Sequence, residues 1–221
     1  MSVTKITNSV VADDAVGVDE LSATGTASAS TFLRGDNSWA TAGGAWTTKV
    51  SETAFTNASS INITGLSKIV KIYIDDITIS NTGSTTLRGR TSTDNGSSWS
   101  TDYNYKYLRT ARYNDSTSYT EYNHTSGGND NMMQLTYYVR NDNSGSNDEN
   151  TAFAEITIFG ASTSGLKTMV QTHYGALGEQ QTAWYKGWAL GHRNVKEAVN
   201  AFQVYPSSGT FSGSYSVLEL A

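Results

Sequence analysis

The chain has 221 residues, a formal net charge of −5, 37% hydrophobic and 16% charged residues, one proline and no cysteine. Such a length can hold one large domain that buries about 70% of its unfolded surface, and the lack of cysteine excludes disulfides and thiolate metal sites. Lysine and arginine are scattered rather than striped, which argues against a nucleic-acid surface, and no apolar run approaches the roughly 20 residues of a membrane helix. Ser, Thr, Asn and Gly fill the spaces between runs enriched in the thirteen Tyr and five Trp. That bias favours sheet over helix.

In chain order, residues 1–23 come first. Ile6 and Val10 lie at near-helical spacing, but Val16 and Val18 alternate and Gly17 weakens a helix. A segment so short and weakly apolar has little to fold around alone, whereas three copies together can bury Ile6, Val10, Val16 and Leu21. The expectation is a stem. Residues 24–45 form a linker of small residues that cannot build a core. Within it Phe32, Leu33 and Trp39 need a surface to cover, and Arg34-Gly35-Asp36 reads as a turn.

From Trp46 onward, strand-like runs occupy 46–52, 60–64, 68–80, 86–92, 99–113, 118–124, 131–140, 152–160, 166–174, 182–192, 200–205 and 214–220. Short polar turns join them. This pattern predicts an all-β head over 46–221, an antiparallel β-sandwich with jelly-roll topology. Val70, Ile72 and Ile74 share a core face, as do Ala154, Ile156 and Ile158, and Trp184, Trp188 and Leu190 are expected on another. The one candidate helix is 193–202.

Ser92, Asp94, Gly96 and Trp99 fit S-x-D-x-G-x-x-W, a pattern resembling the Asp-box hairpin of sialidases and other β proteins. Its meaning is structural: the carboxylate caps the turn, Gly supplies positive φ and Trp packs beneath. Tyr103, Tyr105 and Tyr107 alternate along one strand face, with Tyr113, Tyr119 and Tyr122 following. These are the candidate binding residues, since phenols stack on sugars and grip surfaces at low entropic cost, while a half-buried stripe is the plainer reading.

No catalytic constellation emerges. His124, His173 and His192 stand far apart, no G-x-S-x-G occurs, and Asp75 and Asp76, inside one strand, should face opposite ways. The reading is therefore not an enzyme, with no cofactor and no metal. The acid-rich loop 141–150 departs from calcium-loop spacing and reads as turn chemistry.

Two stretches carry a resemblance. GTASASTFLRGDNSWAT, from Gly25 to Thr41, is similar to the T-A-S-x-x-T-[FY]-L-R-G-D-x-x-W-A segment of bacteriophage fibre proteins. The end, Phe202 to Leu220, resembles the closing hairpin of phage fibre heads, a strand, an S-x-G-x-F-x-x-G turn and a last strand, although Leu-Glu-Leu-Ala stands where the family often ends in Tyr-Gly. The resemblance implies a homotrimeric virion fibre protein, tied to other virion proteins through its stem, whose head adheres to a bacterial surface glycan or protein. A tail or capsid location follows, with release by host lysis since residues 1–11 lack a secretion signal. The alternatives are a capsid fibre or decoration protein and a polysaccharide-depolymerase tailspike.

Overall fold

A computed structural model describes residues 23–29, 31–41, 46–80, 85–113, 120–125, 130–137, 139, 152–178 and 183–220. The chain separates into two units, residues 1–45 and 46–221. The stem residues Ile6, Val10, Val16 and Leu21 lie outside the described residues.

In the first unit, β1 (Thr31–Leu33) pairs antiparallel with β2 (Trp39–Thr41). The Asp36 carboxylate accepts hydrogen bonds from the backbone N–H and hydroxyl of Ser38 at 3.1 and 2.6 Å. Chiefly that hydroxyl holds the carboxyl below its usual range. Asn37 adopts φ 59°, and its N–H donates to the Arg34 carbonyl at 3.0 Å. Arg34-Gly35-Asp36 is thus a turn stabilised by its own side chains. Phe32 remains 50% exposed and Leu33 38% exposed. The linker contains a hairpin that its small-residue composition did not announce.

The second unit has no helix among the described residues. Its strands are β3 (Trp46–Ala58), β4 (Ile61–Thr64), β5 (Ile69–Ile79), β6 (Leu87–Ser92), β7 (Tyr103–Tyr113), β8 (Thr120–Thr125), β9 (Met133–Gln134), β10 (Ala152–Phe159), β11 (Met169–Gly178), β12 (Ala183–Arg193), β13 (Ala201–Pro206) and β14 (Phe211–Leu220). They form two antiparallel sheets, ordered β3-β14-β5-β10-β11-β12-β7-β8 and β4-β13-β6-β9. Period-two patterning explains the core between them. Ile72 and Ile74 of β5 and Ile156 and Ile158 of β10 point inward from the large sheet; Ile61, Ile63, Leu87, Phe202 and Val204 meet them from the small one. Each buried aliphatic side chain contributes about 1.5–3 kcal/mol relative to exposure.

The edge strand β3 is blunted. Its pairing with β14 shifts register at three places, and Lys49 spends its charge on Glu219 at 2.6 Å. Bulges and charges of this kind discourage edge-to-edge association.

Four sequence expectations change. Asp75 and Asp76 do not alternate: Asp76 sits at φ 52°, the β5–β10 register slips there, and both residues are exposed while Ile74 and Ile77 are buried. One bulged residue puts neighbouring side chains on the same side. The expected helix over 193–202 is absent. Val199 is fully buried, its carbonyl accepts from Ser162 N–H at 2.8 Å, and Asn194 and Asn200 bond to Asp102 and Thr93. Tertiary contacts therefore claim a segment too short to hold a helix by itself. Among the described residues the run 131–140 yields only β9, because Leu135 N–H and Thr136 N–H both reach the Leu87 carbonyl while Thr136 Oγ1 accepts from Leu87 N–H. Finally, β13 and β14 belong to different sheets, so the chain's close is a sheet-to-sheet crossing rather than a hairpin. Phe211, fully buried, draws β14 across.

Candidate binding face of the large sheet

The turn at 92–99 is built as its residue types require. Ser92 Oγ donates to Asp94 Oδ1 at 2.6 Å and accepts from Gly96 N–H at 2.8 Å; Asp94 accepts from Ser98 N–H at 2.8 Å and from its hydroxyl at 2.5 Å. Gly96 takes φ 91° with the Trp99 ring beside it. The turn joins β6 to β7, which lie in different sheets, so it is a crossing and not a hairpin. Asn200 clamps it from the β12–β13 connection, accepting from Asn95 N–H at 2.8 Å.

These donors, the Ser92 hydroxyl first, push the Asp94 carboxyl down to about 2. A depressed folded-state value means stabilisation that is present above the unfolded carboxylate pKa of about 3.9 and lost as pH falls toward about 2. Asp94→Ala is expected to lower the melting temperature at pH 7, and the gap to wild type should narrow steadily below about pH 4. Melting curves across that range check it; a constant gap would show that the carboxylate's charge is irrelevant to the turn.

The tyrosine stripe exists but faces inward. In register, Tyr105 pairs with Gly191 and Tyr107 with Ala189 on the core side of β12. Tyr103 is fully buried, its hydroxyl accepting from Thr91 N–H at 2.7 Å, and it therefore leaves the candidate binding set as a structural anchor. Tyr105 is buried too, and desolvation raises its phenol. Half-buried Tyr107 stacks on His124 at 5.0 Å. Tyr113 ends β7 opposite Ala183 and Tyr122 pairs with Arg109, but their side chains, and all of Tyr119, lie outside the described residues.

The partner strand explains the inversion. Gly187 and Gly191 of β12 leave space that the Tyr174 ring and the Met133 side chain fill. Bulk on one strand is matched by its absence on the next. Trp188 and Leu190, expected in the core, consequently face outward and are half-buried, with Ala189 and Tyr185 buried instead. Trp184 has no described side chain.

That outward face carries chemistry the sequence reading missed. Lys71, Thr157 and Gln171 form one row across β5, β10 and β11; Tyr73, Glu155 and His173 form the next. Around them lies an open groove of about 340 Å³, bounded by Trp46 and Phe159, which are 36% and 38% exposed. Its size falls within the about 300–1,000 Å³ of small-ligand clefts.

The Lys71 ammonium donates to Glu155 Oε1 at 3.2 Å and sits 5.3 Å from the Trp46 ring centre. That hydrogen bond raises the lysine. The amide nitrogen of Gln171 and Nε2 of His173 are 3.0 Å apart. Planar polar groups between two aromatic rings suit a hydroxyl-rich ligand whose apolar face stacks while its edges hydrogen-bond. The outward parity of Phe153, Phe159 and Glu155 was readable in β10; Trp46 was not, because its ring reaches Lys71 past the intervening β14.

Among the described residues no group of three or more His, Asp or Glu converges as a metal site, and loop 141–150 lies outside them. Comparison with protein families, with curated proteins and with solved structures gives no match to this chain.

Proposed function

We propose that the chain is a structural protein of a bacteriophage virion, a homotrimeric fibre. In this reading a stem over 1–23 attaches to other virion proteins, 24–45 is the linker, and the jelly-roll-like head over 46–221 adheres to a bacterial surface glycan or protein. Two features support it: the fibre-like segment Gly25–Thr41, and a head whose broad sheet presents aromatic and polar side chains together. The observation that carries recognition is the groove between Trp46 and Phe159. Individually weak contacts of this size gain strength when several copies act at once.

The test is binding of labelled protein to cells of the strain on which the virions grow. Trp46→Ala should reduce binding at least about tenfold, the loss of roughly 1.4 kcal/mol of contact, while the head stays folded with a melting temperature only modestly lower, because the indole lies at the surface. Equal binding by variant and wild type would remove the groove from recognition. Absence of the protein from purified virions would remove the fibre reading.

A further inference from the structure

The outer face of the small sheet holds a second, separate arrangement. Along β6, Leu87, Gly89 and Thr91 are buried, so Arg88 and Arg90 share the opposite face. Arg90 is held on three sides. Its Nε donates to Gln203 Oε1 at 2.6 Å, and its guanidinium lies 4.9 Å from the Tyr205 ring centre and 5.5 Å from that of Trp99. Gln203, itself only 6% exposed, is fixed in turn by donating to Asn62 Oδ1 at 2.8 Å. A guanidinium stacked between rings and bonded through Nε keeps the edge bearing its two terminal nitrogens for a planar acceptor.

Among the described residues neither Arg88 nor Arg90 forms an ion pair, although the chain carries a net −5. Moreover, Arg88 Nε is shut off from solvent without a hydrogen-bond partner among them. Across the pair, Arg88 stands in register with Tyr205, whose phenol is half-buried. The result is a preorganised cationic site on a rigid pair of strands, framed by Trp99 and the 92–99 turn.

We propose that Arg88 and Arg90 form a seat for an oxyanion, the carboxylate or phosphate group of an acidic saccharide. The oxyanion lies against the free guanidinium edge of Arg90, with the charge of Arg88 on the same strand face to hold it. The seat stands on its own geometry; that its ligand is a saccharide rests on the receptor-binding reading above.

The experiment uses the full chain, with tryptophan fluorescence and ligand-induced thermal shift as readouts. The probes are sodium glucuronate, glucose 1-phosphate and glucose. Both anions are expected to bind in the millimolar range and to weaken with added salt, whereas glucose stays inert at this face. A stronger response to glucuronate assigns a carboxylate source, and a stronger response to glucose 1-phosphate a phosphate source. Arg90→Ala should weaken binding at least about tenfold, and Arg90→Lys should fail to restore it, because an ammonium lacks the planar fork. Should Arg90→Ala fold poorly, Arg88→Gln, which leaves the Arg90 stack in place, must lose the same anion response. The proposal is overturned if neither anion binds at about 50 mM, or if the variants respond to the anions like wild type. An anion response in a protein of single-chain mass would sink the fibre reading alone; a trimeric virion protein with no anion response would sink the seat alone.

Discussion

Phe202→Ala is expected to destabilise the head by about 3–5 kcal/mol, which for a domain of this size lowers the melting temperature by roughly 6–20 °C. Phe202 is fully buried near the start of β13, and its ring lies across Gly89 of the neighbouring β6, where a methyl group would come within 2.6 Å of Cζ. Removing the ring costs both its transfer from water and the cavity left behind. Gly89→Ala should also destabilise, by about 1–3 kcal/mol, since the new methyl must push Phe202 and Leu135 aside in a packed interior. The two changes should not add. With the phenyl gone, the alanine methyl occupies part of the vacated volume, so Gly89→Ala becomes nearly neutral in the Phe202→Ala background. Urea denaturation of the four proteins checks this. Simple additivity would mean that the ring does not rest on the glycine.

The same reciprocity between strands marks where the sequence stopped being legible. Alternation along a strand identified Val70, Ile72 and Ile74 as one face, and Ala154, Ile156 and Ile158 as another; all six are buried. Both are aliphatic faces opposed by polar ones, so only one orientation is affordable. In β7 and β12 the two faces are both rich in large rings, and the choice depends on what the adjacent strand leaves room for. Gly187 and Gly191 admit bulk from Tyr174 and Met133, which turns Tyr103 and Tyr105 inward and Trp188 outward. Periodicity finds such a stripe without telling which side it serves.

Pairing between distant strands is similarly hidden. The 92–99 turn and the turn at Ser207–Gly209 near the end were both visible as turns from their glycines, and Gly96 and Gly209 do occupy positive φ. That each joins two sheets instead of closing a hairpin depends on Thr91, Tyr103 and Phe211 entering one core from different strands. The groove is the extreme case. Glu155 and His173 come from the consecutive strands β10 and β11, but Trp46 comes from β3, far away in sequence, and only the sheet order brings it near them. Arg88 and Arg90 stood two residues apart in the sequence but were unremarkable until Gln203, Tyr205 and Trp99 were placed around Arg90.

The full chain is expected to show three times the mass of its 23.8 kDa polypeptide in light scattering, and residues 46–221 alone to show the mass of one. The head's core draws on residues from Ile61 to Val217, all in the second unit, and the shortened chain should unfold cooperatively. The hairpin of the first unit is different: two strands of three residues, with Phe32 and Leu33 exposed, are too little to be stable without further contacts. Association through Ile6, Val10, Val16 and Leu21 would supply them. Ile6→Asp with Val10→Asp should then reduce the full chain to single-chain mass, because charges at a shared apolar seam are left buried and unpaired. A three-chain mass for 46–221 would give the opposite answer. Assembly would then run through the head, where the outward Phe153, Phe159 and Met169 are the apolar groups available to be covered, and Trp46 would belong to a contact between copies instead of a receptor groove.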